Sequence, residues 1–163
     1  ENGIIRESDS TVTPEIALSL GAKVFPPDAI VFAKVGAALL LNRFRLLGKD
    51  SCIDNNMMGF MLHHEIANHR FMFWAMQRIN FSEIVNPGTV PSLNEPLISN
   101  LSIAVPLPDE QQAIADYLDT ETAKIDDLIA HTNDEITLLK ELRAATIADA
   151  VLGRVDVRPA TSQ

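Results

Sequence analysis

The chain of 163 residues has one cysteine (Cys52), one tryptophan, one tyrosine and only seven glycines. A single cysteine excludes an intramolecular disulfide and a cysteine-rich zinc site, and it fits a reducing compartment. The scattered glycines form neither a phosphate-cradling loop nor a dinucleotide fingerprint. No apolar run reaches the roughly 18 residues of a membrane span, and the first residues lack a signal-peptide pattern. A soluble, cytoplasmic protein with no membrane partner is therefore expected. The chain opens on Glu1-Asn2-Gly3 rather than methionine, so its natural start is expected upstream. With 47% hydrophobic and 21% charged residues it is too apolar for disorder. Its length suits one domain, or one domain plus an appendage.

Positive charge is also scarce. Thirteen lysines and arginines face 22 acidic residues, a net charge of −9, which argues against indiscriminate nucleic-acid binding. The average conceals an asymmetry. Residues 106–163 hold 5 basic and 12 acidic residues, whereas residues 23–78 hold 7 basic (Lys23, Lys34, Arg43, Arg45, Lys49, Arg70, Arg78) and 4 acidic. An acidic C-terminal region thus follows a mildly basic middle; the default reading of such a run is a solvated acidic helix face, and the functional reading is that only one face of the first part approaches a polyanion.

What is present reads as two regions. Thr13 and Pro14 open a short helix over 14–22. After the Pro26-Pro27-Asp28 turn, Ala29 to Ala33 reads as a buried strand, Ala38 to Leu47 as a second, and Cys52 to Leu62 as a third, broken near Asn55-Asn56. In the second strand the two-residue period sets Arg43 and Arg45 on one side. Asn68 is the expected N-cap of a helix to about Ile79, with Phe71, Trp74, Ala75 and Arg78 at helical spacing. Asn86-Pro87-Gly88 is a turn. Residues 90–105 read as short extended pieces, and Pro106-Leu107-Pro108 closes the first domain.

From Asp109 to Leu152 there is no glycine or proline. Ile114, Ile125, Ile136 and Ile147 recur at eleven-residue steps, and Leu118 with Ile129 and Leu128 with Leu139 repeat the step. Eleven residues make three turns of about 3.67, so the stripe barely drifts around a helix of about 65 Å. Asp119-Thr120 offers a possible break, and Gly153 a stop. Such a stripe either folds back on its own domain or is completed by another helix, and its persistence favours the second.

Two chemistries compete for the remaining residues. His63-His64-Glu65-Ile66-Ala67-Asn68-His69 approaches a zinc-hydrolase helix, but His64 and His69 are five apart, about 140° around a helix, where the motif needs four. No metal site is expected. DNA contact is the alternative: Arg and Lys hold phosphates or read guanine, Asn reads adenine, and Ser and Thr adapt to either. Lys34, Arg43, Arg45, Lys49, Asn86, Thr89, Ser92 and Asn94 are residues of these types. Cys52 reads as packing rather than as a nucleophile, and no catalytic residue is expected.

The segment Pro106-Leu107-Pro108-Asp109-Glu110-Gln111-Gln112-Ala113-Ile114-Ala115-Asp116-Tyr117-Leu118-Asp119 resembles the start of the conserved region in type I restriction-modification specificity subunits. Lys124-Ile125-Asp126 with Leu128-Ile129, and Leu139-Lys140-Glu141-Leu142-Arg143, continue the likeness. Ala150-Val151-Leu152-Gly153-Arg154-Val155-Asp156-Val157-Arg158 looks like the family's terminal signature. Asp28 to Gly36 and Gly88 to Asn94 look like recognition-domain segments. Leu152 stands where the family often has threonine.

The resemblance implies an α/β (α+β) target-recognition domain over 1–105, missing its first several dozen residues. It further implies a long coiled-coil-forming helical spacer over 106–158 and a tail over 159–163. The first would read half of a bipartite duplex target. The second, through Ile114, Leu118, Ile125, Leu128, Ile129, Ile136, Leu139, Leu142 and Ile147, would pair with an equivalent helix and dock methyltransferase subunits, with the restriction subunit joining through the complex. The chain would itself be non-catalytic and carry no cofactor, S-adenosylmethionine and ATP belonging to partner subunits. It would be either a fragment of a longer subunit or a half-subunit that forms a homodimer. The rival readings are a coiled-coil adaptor with no DNA role and a metal-dependent hydrolase using His63, His64 and His69.

Overall fold

The computed structural model describes residues 3–63, 65–85 and 90–158. The chain forms two compact units, Glu1–Asp119 and Thr120–Gln163.

The first unit is built on a four-stranded sheet. Its centre is β3 (Ile30–Ala33), where the sequence anticipates a buried strand; Ile30, Val31 and Phe32 are all buried. β4 (Arg45–Leu47) lies antiparallel beside it, with Ile30 opposite Leu46 and Val31 opposite Arg45. β1 (Ile4–Ile5) joins the far side of β4 in parallel, and β6 (Met57–Phe60) pairs antiparallel with the other side of β3. The strand order is β1-β4-β3-β6. A separate antiparallel ribbon joins β2 (Val24–Phe25) to β5 (Ser51–Cys52).

Side-chain caps set the helix starts. Thr13 caps α1 (Pro14–Ser19) with Pro14 in its first turn, and the same hydroxyl holds the Glu15 carboxyl below its ordinary range. Asn68 caps α2 (His69–Met76), accepting from the Arg70 and Phe71 amides at 2.8 and 3.1 Å. Asn80 caps α3 (Phe81–Ile84) and Asn94 caps α4 (Glu95–Ser99). α5 runs unbroken over Pro108–Val151, so Asp119-Thr120 does not divide it.

Two expectations are corrected. Residues 38–47 do not form one strand. Leu39–Leu41 is a 3-10 turn, Asn42 takes a left-handed conformation (φ 49), and the strand starts only at Arg45. A continuous apolar run does not separate helix from strand by period, and asparagine tolerates the left-handed region that ends the turn. Asn42 is held there because its Oδ1 accepts the Phe81 amide at 2.9 Å. Residues 95–99 are helical rather than extended, since Asn94 and Pro96 supply the start that helices favour. On α2 the buried residues are Phe71, Met72, Phe73 and Met76, while Trp74 is half-buried and Arg78 is exposed beyond the helix end.

The core of this unit is aromatic. Phe32 lies 5.1, 5.5 and 5.2 Å by ring centroid from Phe44, Phe60 and Phe81. A smaller cluster of Phe25, Ala29, Val31 and Leu47 packs elsewhere in the unit. There Phe25 lies against Gly59, where a Cβ would meet its ring carbons at 2.5, 2.9 and 3.0 Å. Gly59→Ala is therefore expected to destabilise this unit by about 1–3 kcal/mol through overpacking. Urea unfolding checks it, and an unchanged midpoint would show that the ring yields freely.

In the second unit every α5 side chain from Lys124 to Ala148 is exposed. The helix closes at Gly153 (φ 68), whose amide donates to the Ala150 carbonyl while the Arg154 amide donates to that of Asp149. Arg158 then holds Asp156 with hydrogen bonds of 2.8 and 2.6 Å, which keep that carboxyl below its ordinary range. No helix among the described residues is long and apolar enough to cross a membrane.

Candidate nucleic-acid interface

The sheet register decides which candidate residues share a place. β3 and β4 run antiparallel with 30 opposite 46 and 31 opposite 45. Continuing that register brings Lys34, just past β3, and Arg43, just before β4, to the same end of the sheet as Arg45. Ser92 joins them through backbone pairing: Val35 bridges Ser92, the Gly36 amide donates to the Pro91 carbonyl at 2.8 Å, and the Leu93 amide donates to that of Lys34 at 2.8 Å. Arg43, Arg45 and Ser92 are exposed, and Lys34 is half-buried. Arg43 precedes β4, and the alternation of exposed Arg43, buried Phe44, exposed Arg45 and buried Leu46 continues through it.

Lys49 does not belong to this group. It follows the other end of β4, which rises about 10 Å over three residues. Asn94 is close in sequence to Ser92, but its Oδ1 accepts the Leu97 amide at 3.0 Å to cap α4. A bidentate contact to adenine uses both ends of an asparagine amide, so through Asn94 the two lone pairs of Oδ1 would serve the cap and the base together. Asn86 and Thr89 lie outside the described residues, as does His64.

Arg45 has its Nη1 donating to the Phe44 carbonyl at 2.7 Å, which steadies the guanidinium near the strand while the side chain remains solvent-exposed. Three cations and a hydroxyl at one sheet end can neutralise phosphates and donate to their oxygens. The histidine cluster has a different setting. α2 begins at His69, so His63 and Glu65 precede the helix, and His69 Nε2 lies 3.6 Å from Asp28 Oδ1. Among the described residues, no three His, Cys, Asp or Glu side chains gather as a metal site.

Sequence reasoning missed a second polar constellation, where the first turns of α5 meet α2. Gln111 is 2% exposed, its Oε1 accepting the Asn68 amide at 2.7 Å and its Nε2 donating to the Pro106 carbonyl at 2.9 Å. Asn68 Nδ2 donates to Gln112 Oε1 at 2.8 Å. Two turns along α5, Asp119 accepts from Trp74 Nε1 at 2.7 Å and from Arg70 Nε at 3.0 Å, and Arg70 Nη2 completes a fork. Apart from Pro106, the partners are more than 40 residues apart in sequence, so no local spacing announces them. The one available signal is an arginine and a tryptophan four apart on α2.

Residues 2–138 match the family model of the type I restriction modification DNA specificity domain. The chain is 32% identical over 99 residues to the type I restriction enzyme EcoDI specificity subunit of Escherichia coli, a match covering 59% of this chain and 22% of that protein. A solved chain from work on complex assembly and conformational transition of the type I R-M system superposes with a TM-score of 0.68 at 16% identity, covering 78% of this chain and 31% of the other. The present chain thus spans less than a third of either relative.

Proposed function

The chain belongs to the type I restriction modification DNA specificity domain family, and from that membership we propose that it reads one half of a bipartite DNA target for a restriction-modification complex. The DNA-reading role is assigned to residues 1–105 and the spacer role to 106–158. Phosphate contacts set the register on the duplex and groove contacts select bases. The observation that carries this reading is the family match, which runs through the sheet unit and on into α5. The cations Lys34, Arg43 and Arg45 at one sheet end support it. Ser92 joins them in the proposed contact set, with Asn86, Thr89 and Asn94, and with Lys49 as a separate contact from the other end of β4.

The spacer pairs its stripe with an equivalent helix, either of a second copy or of another specificity half, and docks methyltransferase subunits; the restriction subunit joins through that complex. A two-fold pair would read an inverted repeat at a fixed gap, since symmetry in the protein must match symmetry in the DNA. Methylation and cleavage belong to the partners, with their S-adenosylmethionine and ATP.

The test is gel retardation of a random-sequence duplex pool by the chain assembled with methyltransferase subunits, followed by sequencing of the retained fraction. A recurrent half-site is expected. An intact complex that retains no duplex preferentially would favour the adaptor reading, which the net charge of −9 makes a real competitor. Arg43→Ala with Arg45→Ala is expected to weaken binding of the selected duplex. If both contact phosphates, the slope of log K against log salt flattens by about 2. If either reads a base, discrimination at one position falls by about 1–3 kcal/mol. Unchanged binding and an unchanged slope would remove this pair from the interface.

A further inference from the structure

We propose that Asp119 is a positioning residue, a latch that holds the first three turns of α5 on α2 and through them governs the spacing of the half-sites that the assembled complex reads. The role in spacing rests on the function proposed above; the latch itself rests on geometry.

Gln111, Ala115 and Asp119 recur at four-residue steps and so share one face of α5. Gln111 is 2% exposed and Ala115 is fully buried, and Asp119 ends the series with the fork to Arg70 and the bond from Trp74. Partial burial persists to Ala123, and from Lys124 to Ala148 every side chain is exposed. Asp119 is the last residue of this face inside the first unit.

Arg70 is built to receive it. Its guanidinium carbon lies 5.4 Å from the Phe73 ring centroid and 5.9 Å from that of Trp74, so two aromatic rings restrict where the charge can sit. Its Nη1 is buried with no hydrogen-bond partner among the described residues. A guanidinium confined in this way depends on the carboxylate that answers it. Nothing in the fold needs Asp119 to form the sheet or the aromatic core, whose members all come earlier in the chain. Removing its carboxylate should free α5 locally and leave the core intact.

The experiment compares the full chain with Asp119→Ala and Asp119→Asn by hydrogen exchange and by the emission of Trp74, the chain's only tryptophan. Amides of residues 111–119 should exchange about tenfold faster in Asp119→Ala while those of β3 hold their rate, and Trp74 emission should shift to the red. Asp119→Asn keeps acceptor oxygen for Trp74 and should recover part of the protection. The latch is overturned if residues 111–119 keep wild-type protection, or if β3 loosens by the same factor. The second arm uses the assembled complex and duplexes with two selected half-sites set apart in steps of one base pair. The wild type should prefer one spacing, and Asp119→Ala should bind each half-site as before but lose that preference. A retained preference despite faster exchange overturns the role in spacing. If the wild-type complex binds no duplex, the DNA reading falls, and the latch is decided by exchange and emission alone.

Discussion

Phe32→Ala is expected to cost the first unit about 3–5 kcal/mol and to lower its melting midpoint by about 15 °C. Phe32 sits at the middle of the central strand, 2% exposed, with three aromatic rings within 5.5 Å of its own. Those rings come from the segment before β4, from β6 and from α3, so the side chain joins three elements distant in sequence. Truncation removes both the transfer energy of the ring and the dispersion contacts of the cavity walls, and the two losses add because a sheet cannot collapse far into the void. Domains of this size are stable by about 5–15 kcal/mol, so the variant is left near the edge of folding. Urea unfolding followed by circular dichroism measures the loss. A cost under about 1 kcal/mol would mean that the aromatic cluster is not the core.

The second large effect is expected on α5. Ile125→Asp with Ile136→Asp should abolish pairing of the helix, turning a two-chain species into one of single-chain mass in sedimentation equilibrium. Both side chains are exposed in the isolated chain, at 54% and 42%, so folding of the chain itself has little to lose. Pairing has much to lose. Each buried isoleucine contributes about 1.5–3 kcal/mol, and a two-fold pair buries each of the two positions twice. Losing four such contributions weakens association by at least about four decades, before counting the carboxylates brought into an apolar seam. A dimer that survives both charges would place the contact on another face. A wild-type chain that is monomeric at high concentration would require the matching helix to come from a different chain.

How far the sequence announces this structure follows from how local each signal is. α5 is legible because its evidence is internal: no glycine or proline from Asp109 to Leu152, an eleven-residue repeat, and a glycine after the end. The caps Thr13 and Asn68 are legible for the same reason, each being satisfied within three residues. β3 is short, apolar and follows a proline turn. By contrast, Leu39–Leu41 became a 3-10 turn because Asn42 is fastened to the Phe81 amide, 39 residues away. Of the candidate interface, the residue types are legible but their grouping is not. Lys34 meets Ser92 through a ladder between segments nearly 60 residues apart, and Lys49 is parted from Arg45 by the run of β4. Gln111 looks like one more polar residue on an acidic helix, and only the fold reveals that it is buried.

That burial has a bearing on how the protein is made. Chains emerge from their N-terminus and domains generally fold as units in that order. The sheet can assemble once Phe60 is available, yet Gln111, Ala115 and Asp119 are delivered some fifty residues later. Until they arrive, the Asn68 amide and the Arg70 guanidinium lack these acceptors. A nascent chain halted at the proline-leucine-proline stretch would display an open seam, and a gene fusion cut there would inherit it. A fusion that keeps these acceptors with the sheet is cut after residue 119, where the first compact unit ends.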